Sequence, residues 1–210
     1  MSVRAVVLAA GKGKRMNSDL PKVLFEVAGR PLVSWVVDAV VAAGVEDVTV
    51  VVGHEADRVA AVLPDGVATA LQAEQLGTGH AVMAALEAMG EVAGDTVLVV
   101  PGDTPLFRPE SLAGLLEAHD GNGATLLTTR MPDPTGYGRV IRDGERVAAI
   151  VEERDATDEQ RSIDEVAVST YAFDGAALVE ALRQIRNDNA QGEYYLTDAM
   201  AAIAAMASVR

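Results

Sequence analysis

Near the start of the chain, Leu8-Ala9-Ala10-Gly11-Lys12-Gly13-Lys14-Arg15-Met16 sets three cations around two glycines, with Lys22 close behind. Glycines let backbone N–H groups approach an anion closely. Lys12, Lys14 and Arg15 supply the charge a polyphosphate needs. The spacing of a Walker A loop is absent, and Met16 stands where a dinucleotide fingerprint has its third glycine. Two readings stand at this point: an anion-binding loop and a basic surface turn.

Gln72-Ala73-Glu74-Gln75-Leu76-Gly77-Thr78-Gly79-His80 is the second such segment. Gln72 offers a donor and an acceptor together, as reading a pyrimidine edge requires. Gly77 and Gly79 permit close contact with a ring or ribose. Thr78 reads equally as a helix N-cap, and His80 as a packed or capping histidine. The third segment is Val99-Val100-Pro101-Gly102-Asp103-Thr104-Pro105. A carboxylate just past a buried strand suits Mg²⁺, which takes one or two carboxylates plus substrate phosphates. The plainer reading of Asp103 is a turn aspartate.

In the second half, Gly136-Tyr137-Gly138-Arg139 and Ile150-Val151-Glu152-Glu153 suit a polyhydroxylated ligand. Freed N–H groups and a carboxylate accepting two hydroxyls fit a sugar. Glu153, Arg154 and Asp155 read as solvated. Tyr195 and Thr197 are cleft candidates within Glu193–Thr197, with core packing the alternative for Tyr195.

These residues need a scaffold, and the pattern supplies one. Val3–Leu8, Val48–Val52, Val67–Leu71, Thr96–Val100 and Ala124–Thr129 read as buried strands. Helices are expected over residues 31–43, 56–63, 79–89 and 109–119, with Pro31 at a first helical position. The alternation predicts an α/β domain with a mainly parallel sheet. After residue 130 an Asp143-Gly144 hairpin signal, a strand over Val166–Phe173 and helices over 176–185 and 195–207 predict a mixed layer sharing that sheet.

The chain has 210 residues, half of them hydrophobic, which suits one domain with a sizeable core. It has no cysteine, so disulfides, thiolate zinc sites and a cysteine nucleophile are excluded. Three scattered histidines argue against an imidazole metal cluster. No signal peptide or membrane span is expected, and the cytoplasm is the default compartment. The net charge is −14. Residues 1–30 nevertheless hold six bases against two acids, while the remaining 180 hold 11 bases against 29 acids. A cationic island on an anionic chain predicts one small anionic ligand and excludes nucleic acid and anionic membrane as general partners.

Taken in order, Leu8–Met16 with Lys22, Gln72–His80, Gly102-Asp103, Asp133–Arg139, Asp155–Arg161 and Asn189–Asp198 resemble the uridyltransferase half of the bacterial bifunctional N-acetylglucosamine-1-phosphate uridyltransferase/glucosamine-1-phosphate acetyltransferases. The resemblance spans nearly the whole chain. It implies a Rossmann-like nucleotide-diphospho-sugar transferase fold, with a mainly parallel mixed sheet flanked by helices. It implies a Mg²⁺-dependent reaction of UTP with N-acetylglucosamine 1-phosphate, giving UDP-N-acetylglucosamine and pyrophosphate in cell-wall precursor synthesis.

By this resemblance Leu8, Ala9, Ala10 and Gly11 hold the nucleotide. Gln72, Gly77 and Thr78 read the uracil, and Arg15 and Lys22 act as catalytic phosphate clamps. Gly102 and Asp103 join the nucleotide site, Asp103 binding Mg²⁺. Gly138 and Glu152 contact the sugar, joined by Tyr195 and Thr197 from the residue reading. Residues 1–130 would form the nucleotide-binding part and 131–210 the sugar-binding part.

Two departures accompany the resemblance. Ala167 stands where the family has an asparagine that contacts the sugar, and a lost hydrogen bond of that kind costs about 1–3 kcal/mol. The family also continues into a segment carrying the second Mg²⁺ ligand and a left-handed β-helix acetyltransferase. This sequence contains no hexapeptide repeat, so acetyltransferase activity is not expected of it. It would be an excerpt of a longer protein, trimeric if the C-terminal domain exists, or a standalone paralogue. Competing readings keep the reaction with another sugar or base, or retain nucleotide binding without turnover.

Overall fold

A computed structural model describes residues 2–11, 13, 16 and 18–210 of the chain. Four strands rich in valine, β1 (Val3–Leu8), β4 (Asp47–Val52), β5 (Ala68–Leu71) and β6 (Thr96–Pro101), pair in parallel in the order β5-β4-β1-β6. Beyond β6 the sheet turns antiparallel. β10 (Glu165–Asp174) pairs with β6, with β7 (Ala124–Arg130) and with β8 (Arg139–Asp143), and β8 pairs with β9 (Arg146–Val151). One eight-stranded sheet therefore carries strands from both halves of the chain.

Alternation along the strands sends side chains to two cores. Val6, Val51, Val97 and Val99 face one, under α3 (Thr78–Met89), α6 (Gly175–Leu182) and α7 (Asp198–Ala204). Ala5, Val7, Val50, Val52, Leu98 and Val100 face the other, under α1 (Leu32–Ala42), α2 (Ala56–Ala60) and α4 (Pro109–Ala118). Period-two side-chain alternation buried on both faces requires helices on both sides, as in other doubly covered parallel sheets.

Order within the parallel half matters most for function. From β1 the chain moves outward through β4 to β5, then returns to β6 on the other flank of β1. The direction of winding reverses between β1 and β6. Open α/β sheets bind ligands at that switch point, outside the carboxyl ends of the strands. Those ends are Leu8 and Pro101, aligned as neighbours.

Several element limits differ from expectation. Pro31 precedes α1 with an extended ψ of 144° and pairs with Glu26 in a two-stranded hairpin, β2 (Glu26–Val27) with β3 (Arg30–Pro31). Such two-residue strands leave almost no periodic signal. The helix expected over 56–63 ends at Ala60, and Val62 and Leu63 close tighter turns onto Val59 and Ala60. Pro64 disfavours α geometry in the residue before it. The helix expected over 176–185 runs from Gly175 to Leu182, because the Asp174 carboxylate accepts from the Ala177 N–H and caps it. The helix expected over 195–207 spans only Asp198–Ala204, since Tyr195, Leu196 and Thr197 make contacts outside it. The short helix α5 (Asp158–Arg161) was not anticipated, although its Thr157/Gln160 capping box is legible in the sequence. No helix among the described residues is long and apolar enough to cross a membrane.

Candidate functional site

Lys22 and Asp103 meet at the switch point. Lys22 opens a 3-10 turn (Lys22–Leu24) whose Val23 and Leu24 are buried, so the core anchors its backbone while its ammonium stays about two-fifths exposed. Asp103 follows β6 directly. Its Oδ2 lies 2.5 Å from Lys22 Nζ, with the carboxylate about a quarter exposed. The loop after β1 lies alongside. Ala9 N–H donates to Val51 O (2.9 Å), and Gly102 N–H donates to Leu8 O (2.9 Å). A Cβ on Gly102 would sit 2.9 Å from that same Leu8 oxygen, so only glycine allows the two strand ends to close this far. Gly13, at φ +61°, lies against Lys22, where a Cβ would come within 2.9 Å of Lys22 Cβ. Leu8, Ala9, Ala10, Gly11, Lys22, Gly102 and Asp103 thus belong to one strand-end region. Arg15, together with Lys12 and Lys14, lies outside the described residues.

Gln72 closes the region on the β5 side. It is 3% exposed, and its N–H continues the ladder to Val52 O. Its Nε2 donates to Gly77 O (3.1 Å) and lies 3.1 Å from His80 Nδ1. Its Oε1 has no partner among the described residues. The expectation for Thr78 as a helix N-cap is not met. Gly77 holds that position at φ +110°, and no side chain caps the helix. Thr78 Oγ1 instead accepts from Leu196 N–H (3.0 Å). Gly77 and Gly79 are approached by protein backbone. A Cβ on Gly77 would lie 2.5 Å from Tyr194 O, and Gly79 N–H donates to that oxygen (2.8 Å). Tyr194 N–H in turn donates to Leu76 O (2.7 Å). These three bonds clasp the Gln72–His80 loop to the segment carrying Tyr195 and Thr197.

That segment borders a second hollow of about 250 Å³, lined by Glu152, Asp155, Asp188, Asn189, Tyr195 and Asp198 with Ile150 and Val151. Thr197 Oγ1 donates to Glu152 Oε1 (2.9 Å). Gln191 Nε2 donates to the Tyr195 hydroxyl (2.8 Å), and the Tyr195 ring is buried. Gly138 presses on the same carboxylate: a Cβ there would stand 2.9 Å from Ile150 Cγ2 and 3.6 Å from Glu152 Oε1. Gly138, Glu152, Tyr195 and Thr197 are therefore brought together.

Burial pushes the Glu152 carboxyl up, and the Asp155 and Glu193 charges add to this against the lowering Thr197 bond. Burial likewise raises Asp198, to about 6, helped by Glu152, Asp155 and Asp188. The Tyr195 phenol is raised by burial first. Titratable groups with raised values gathered in one hollow make it a functional-site candidate.

One expectation for this half needs correction. Glu153 is not simply solvated: its Oε2 lies 2.6 Å from Arg139 Nη2, and Arg139 is 1% exposed. A buried guanidinium requires a counter-ion. Asp155 is exposed as expected, with its Oδ1 accepting from Ala190 N–H (2.9 Å). Sequence reasoning also passed over Asp188 and Asp198. Their signal was present: Asp198 closes the Asn189–Asp198 motif and Asp188 directly precedes it. Ala167 is buried, and its N–H donates to Gly138 O (3.0 Å). Two residues on, Ser169 sits at φ +56° in a bulge of β10, between Ala167 and Tyr171.

Among the described residues no group of three or more His, Asp or Glu side chains is arranged to ligate a metal. Asp103, a partly exposed carboxylate at a strand end, suits a hard cation shared with ligand phosphates.

Comparison with known proteins places the chain in a family. The MobA-like NTP transferase domain family matches residues 5–203. The chain is 51% identical over 198 residues to the Bifunctional protein GlmU of Thermoanaerobacter pseudethanolicus, covering 93% of this chain and 43% of that protein. It is 52% identical over 200 residues to that of Geobacter metallireducens, covering 92% and 42%. For Streptomyces avermitilis the values are 50% over 202 residues, 93% and 42%. The chain thus spans less than half the length of these relatives, and the resemblance read from its ordered motifs is borne out. Among solved structures, a UDP-glucose pyrophosphorylase complexed with UDP-glucose superposes with a TM-score of 0.77 at 16% identity, covering 99% of this chain and 89% of that one. That likeness concerns the fold, which is the nucleotide-diphospho-sugar transferase fold expected. With a family match running from β1 to α7 and a strand-end site of the kind described, the chain belongs to the MobA-like NTP transferase domain family.

Proposed function

We propose that this chain transfers a uridylyl group from UTP to N-acetylglucosamine 1-phosphate, releasing pyrophosphate and leaving UDP-N-acetylglucosamine. The carrying observation is the meeting of Lys22 and Asp103 beside the glycine loop at the switch point of the sheet. The motif resemblance and the GlmU relatives support the substrates. The backbone of Leu8–Gly11 and Gly102 would line the nucleotide, and Arg15 and Lys22 would take its phosphates. Gln72 Oε1 would accept the N3–H of uracil while its Nε2 stays tied to Gly77 and His80. Gly77 and Thr78 would border the base, Thr78 acting mainly through its bond to Leu196. Gly138, Glu152, Tyr195 and Thr197 would hold the sugar.

The sugar phosphate is already ionised at neutral pH, so its oxygen attacks the α-phosphorus without a general base. A new P–O bond forms in line as the bond to pyrophosphate breaks. Positioning and charge neutralisation do the work. Mg²⁺, held by Asp103 together with phosphate oxygens, would supply part of that neutralisation. Lys22 would then exchange its carboxylate for phosphate oxygens, so the ion pair keeps a cation and an anion preplaced at the site.

Pyrophosphate release with UTP, Mg²⁺ and a panel of sugar 1-phosphates tests the reading. Turnover with N-acetylglucosamine 1-phosphate above glucose 1-phosphate supports it, and no turnover with any sugar in the full native chain overturns it. Ala167 favours a second reading, the same chemistry on a different sugar. The panel separates the two. Binding of UTP by calorimetry without any turnover would identify a nucleotide-binding protein that has lost catalysis.

A further inference from the structure

We infer that Arg139 is a positioning residue that aims the Gly138 N–H into the sugar hollow by gripping the carbonyl of Tyr137. The inference rests on the sugar-binding role proposed for Gly138. Arg139 opens β8, and its side chain is the largest fully buried one among the described residues. Nη1 donates to Tyr137 O, and Nη2 donates to Arg161 O (3.3 Å) while pairing with Glu153 Oε2 at 2.6 Å. The same Glu153 oxygen accepts from Gly136 N–H (3.4 Å). One guanidinium and one carboxylate therefore hold both sides of the Gly136–Gly138 turn.

The peptide between Tyr137 and Gly138 is planar and trans, so its carbonyl and its N–H point in opposite directions. Fixing the Tyr137 oxygen fixes the Gly138 N–H. That N–H has no partner among the described residues, although Gly138 is buried beside Glu152 and its own carbonyl accepts from Ala167 N–H. A donor held out of solvent and left free is poised for a ligand hydroxyl.

Stability alone gives little reason for this arrangement. Arg139 Nε is buried with no hydrogen-bond partner among the described residues. Unpaired buried donors destabilise, and buried ion pairs are weak stabilisers against apolar replacements. The planar fork of arginine serves two carbonyls and a carboxylate at once, which the single ammonium of lysine does not.

The test compares wild type with Arg139→Lys, and with Glu153→Gln as the milder variant should Arg139→Lys fail to fold. In the pyrophosphate assay, Arg139→Lys is expected to raise KM for N-acetylglucosamine 1-phosphate about tenfold or more, with KM for UTP within about twofold. Glu153→Gln is expected to shift the same constant in the same direction by about threefold. A general loosening of the fold would move both constants together, and that result overturns the inference. A second readout needs no turnover. In amide spectra of the ligand-free protein, the Gly138 resonance is expected to move in either variant while Gly102 stays in place. An unmoved Gly138 amide overturns the inference. If wild type shows no turnover with any sugar 1-phosphate, the functional reading falls separately and the amide result still decides the positioning role.

Discussion

Lys22 Nζ and Asp103 Oδ2 stand 2.5 Å apart at the carboxyl ends of β1 and β6, two elements far separated in sequence. A salt bridge this exposed adds little stability, commonly under about 1 kcal/mol. Its placement beside the glycine loop, at the point where the sheet reverses its winding, gives it a chemical meaning instead. Lys22→Ala and Asp103→Ala are each expected to reduce turnover at least about tenfold while shifting thermal stability only slightly, a barrier increase of about 1.4 kcal/mol or more. Rates of pyrophosphate release beside melting curves check this, and near-normal rates in both would remove the assigned roles.

Thr78 provides a second check, because its side chain acts in a way sequence alone does not suggest. Thr78→Val deletes the acceptor for Leu196 N–H and is expected to destabilise the fold by about 1–3 kcal/mol, whereas Thr78→Ser, which keeps the oxygen, should stay close to wild type. Denaturant titration separates them. Equal stability of all three proteins would show that the bond to Leu196 is not maintained in solution.

Gly77 tests the clasp from its backbone side. At φ +110°, with Tyr194 O 2.5 Å from where a Cβ would stand, Gly77→Ala combines strain with a backbone collision. A loss of about 3 kcal/mol or more is expected. A fully stable alanine variant would mean that the loop is free to move away from Tyr194.

The acidic hollow predicts a pH dependence. Asp198, raised to about 6 from an ordinary 3.8, holds its proton more tightly folded than unfolded. The sign follows from proton linkage: this contribution to stability is complete below the unfolded value and is lost as pH rises through the folded one. Asp198→Asn, which removes the charge at every pH, should therefore stabilise the protein more at about pH 8 than at about pH 4. Denaturation curves at the two pH values give the answer, and a pH-independent difference would rule the linkage out.

Ala167 marks the acceptor side. Its N–H bonds Gly138 O, and Gly138 lies beside Glu152, so an asparagine there would project from a backbone tied to the segment that borders Glu152. Ala167→Asn is expected to lower KM for N-acetylglucosamine 1-phosphate, at a stability loss of about 1–2 kcal/mol from added bulk. An unchanged or higher KM would favour a hollow built for another sugar.

How much of this was legible beforehand follows from the range of the forces involved. Valine-rich runs, the Asp-Gly hairpin and the glycine-broken end of β1 act over a few residues, so strands and candidate anion loop could be read directly. The motif order carried the family resemblance, and with it the grouping of Lys22, Asp103 and Gln72. Short-range pattern does not carry contacts between segments that meet only when the sheet closes. Thr78 looked like a helix cap until Leu196 N–H claimed its oxygen, and Tyr195–Thr197 looked helical until the hollow drew them out of the helix. Glu153 read as solvated, because its pairing depends on a guanidinium, Arg139, that is buried only once the remote Arg161 turn and the Tyr137 carbonyl close over it. Local composition thus decided the elements and the chemistry available. The tertiary structure decided which polar groups face a ligand and which face one another, because hydrogen-bond partners in a folded chain are chosen by proximity in space and not by separation along it.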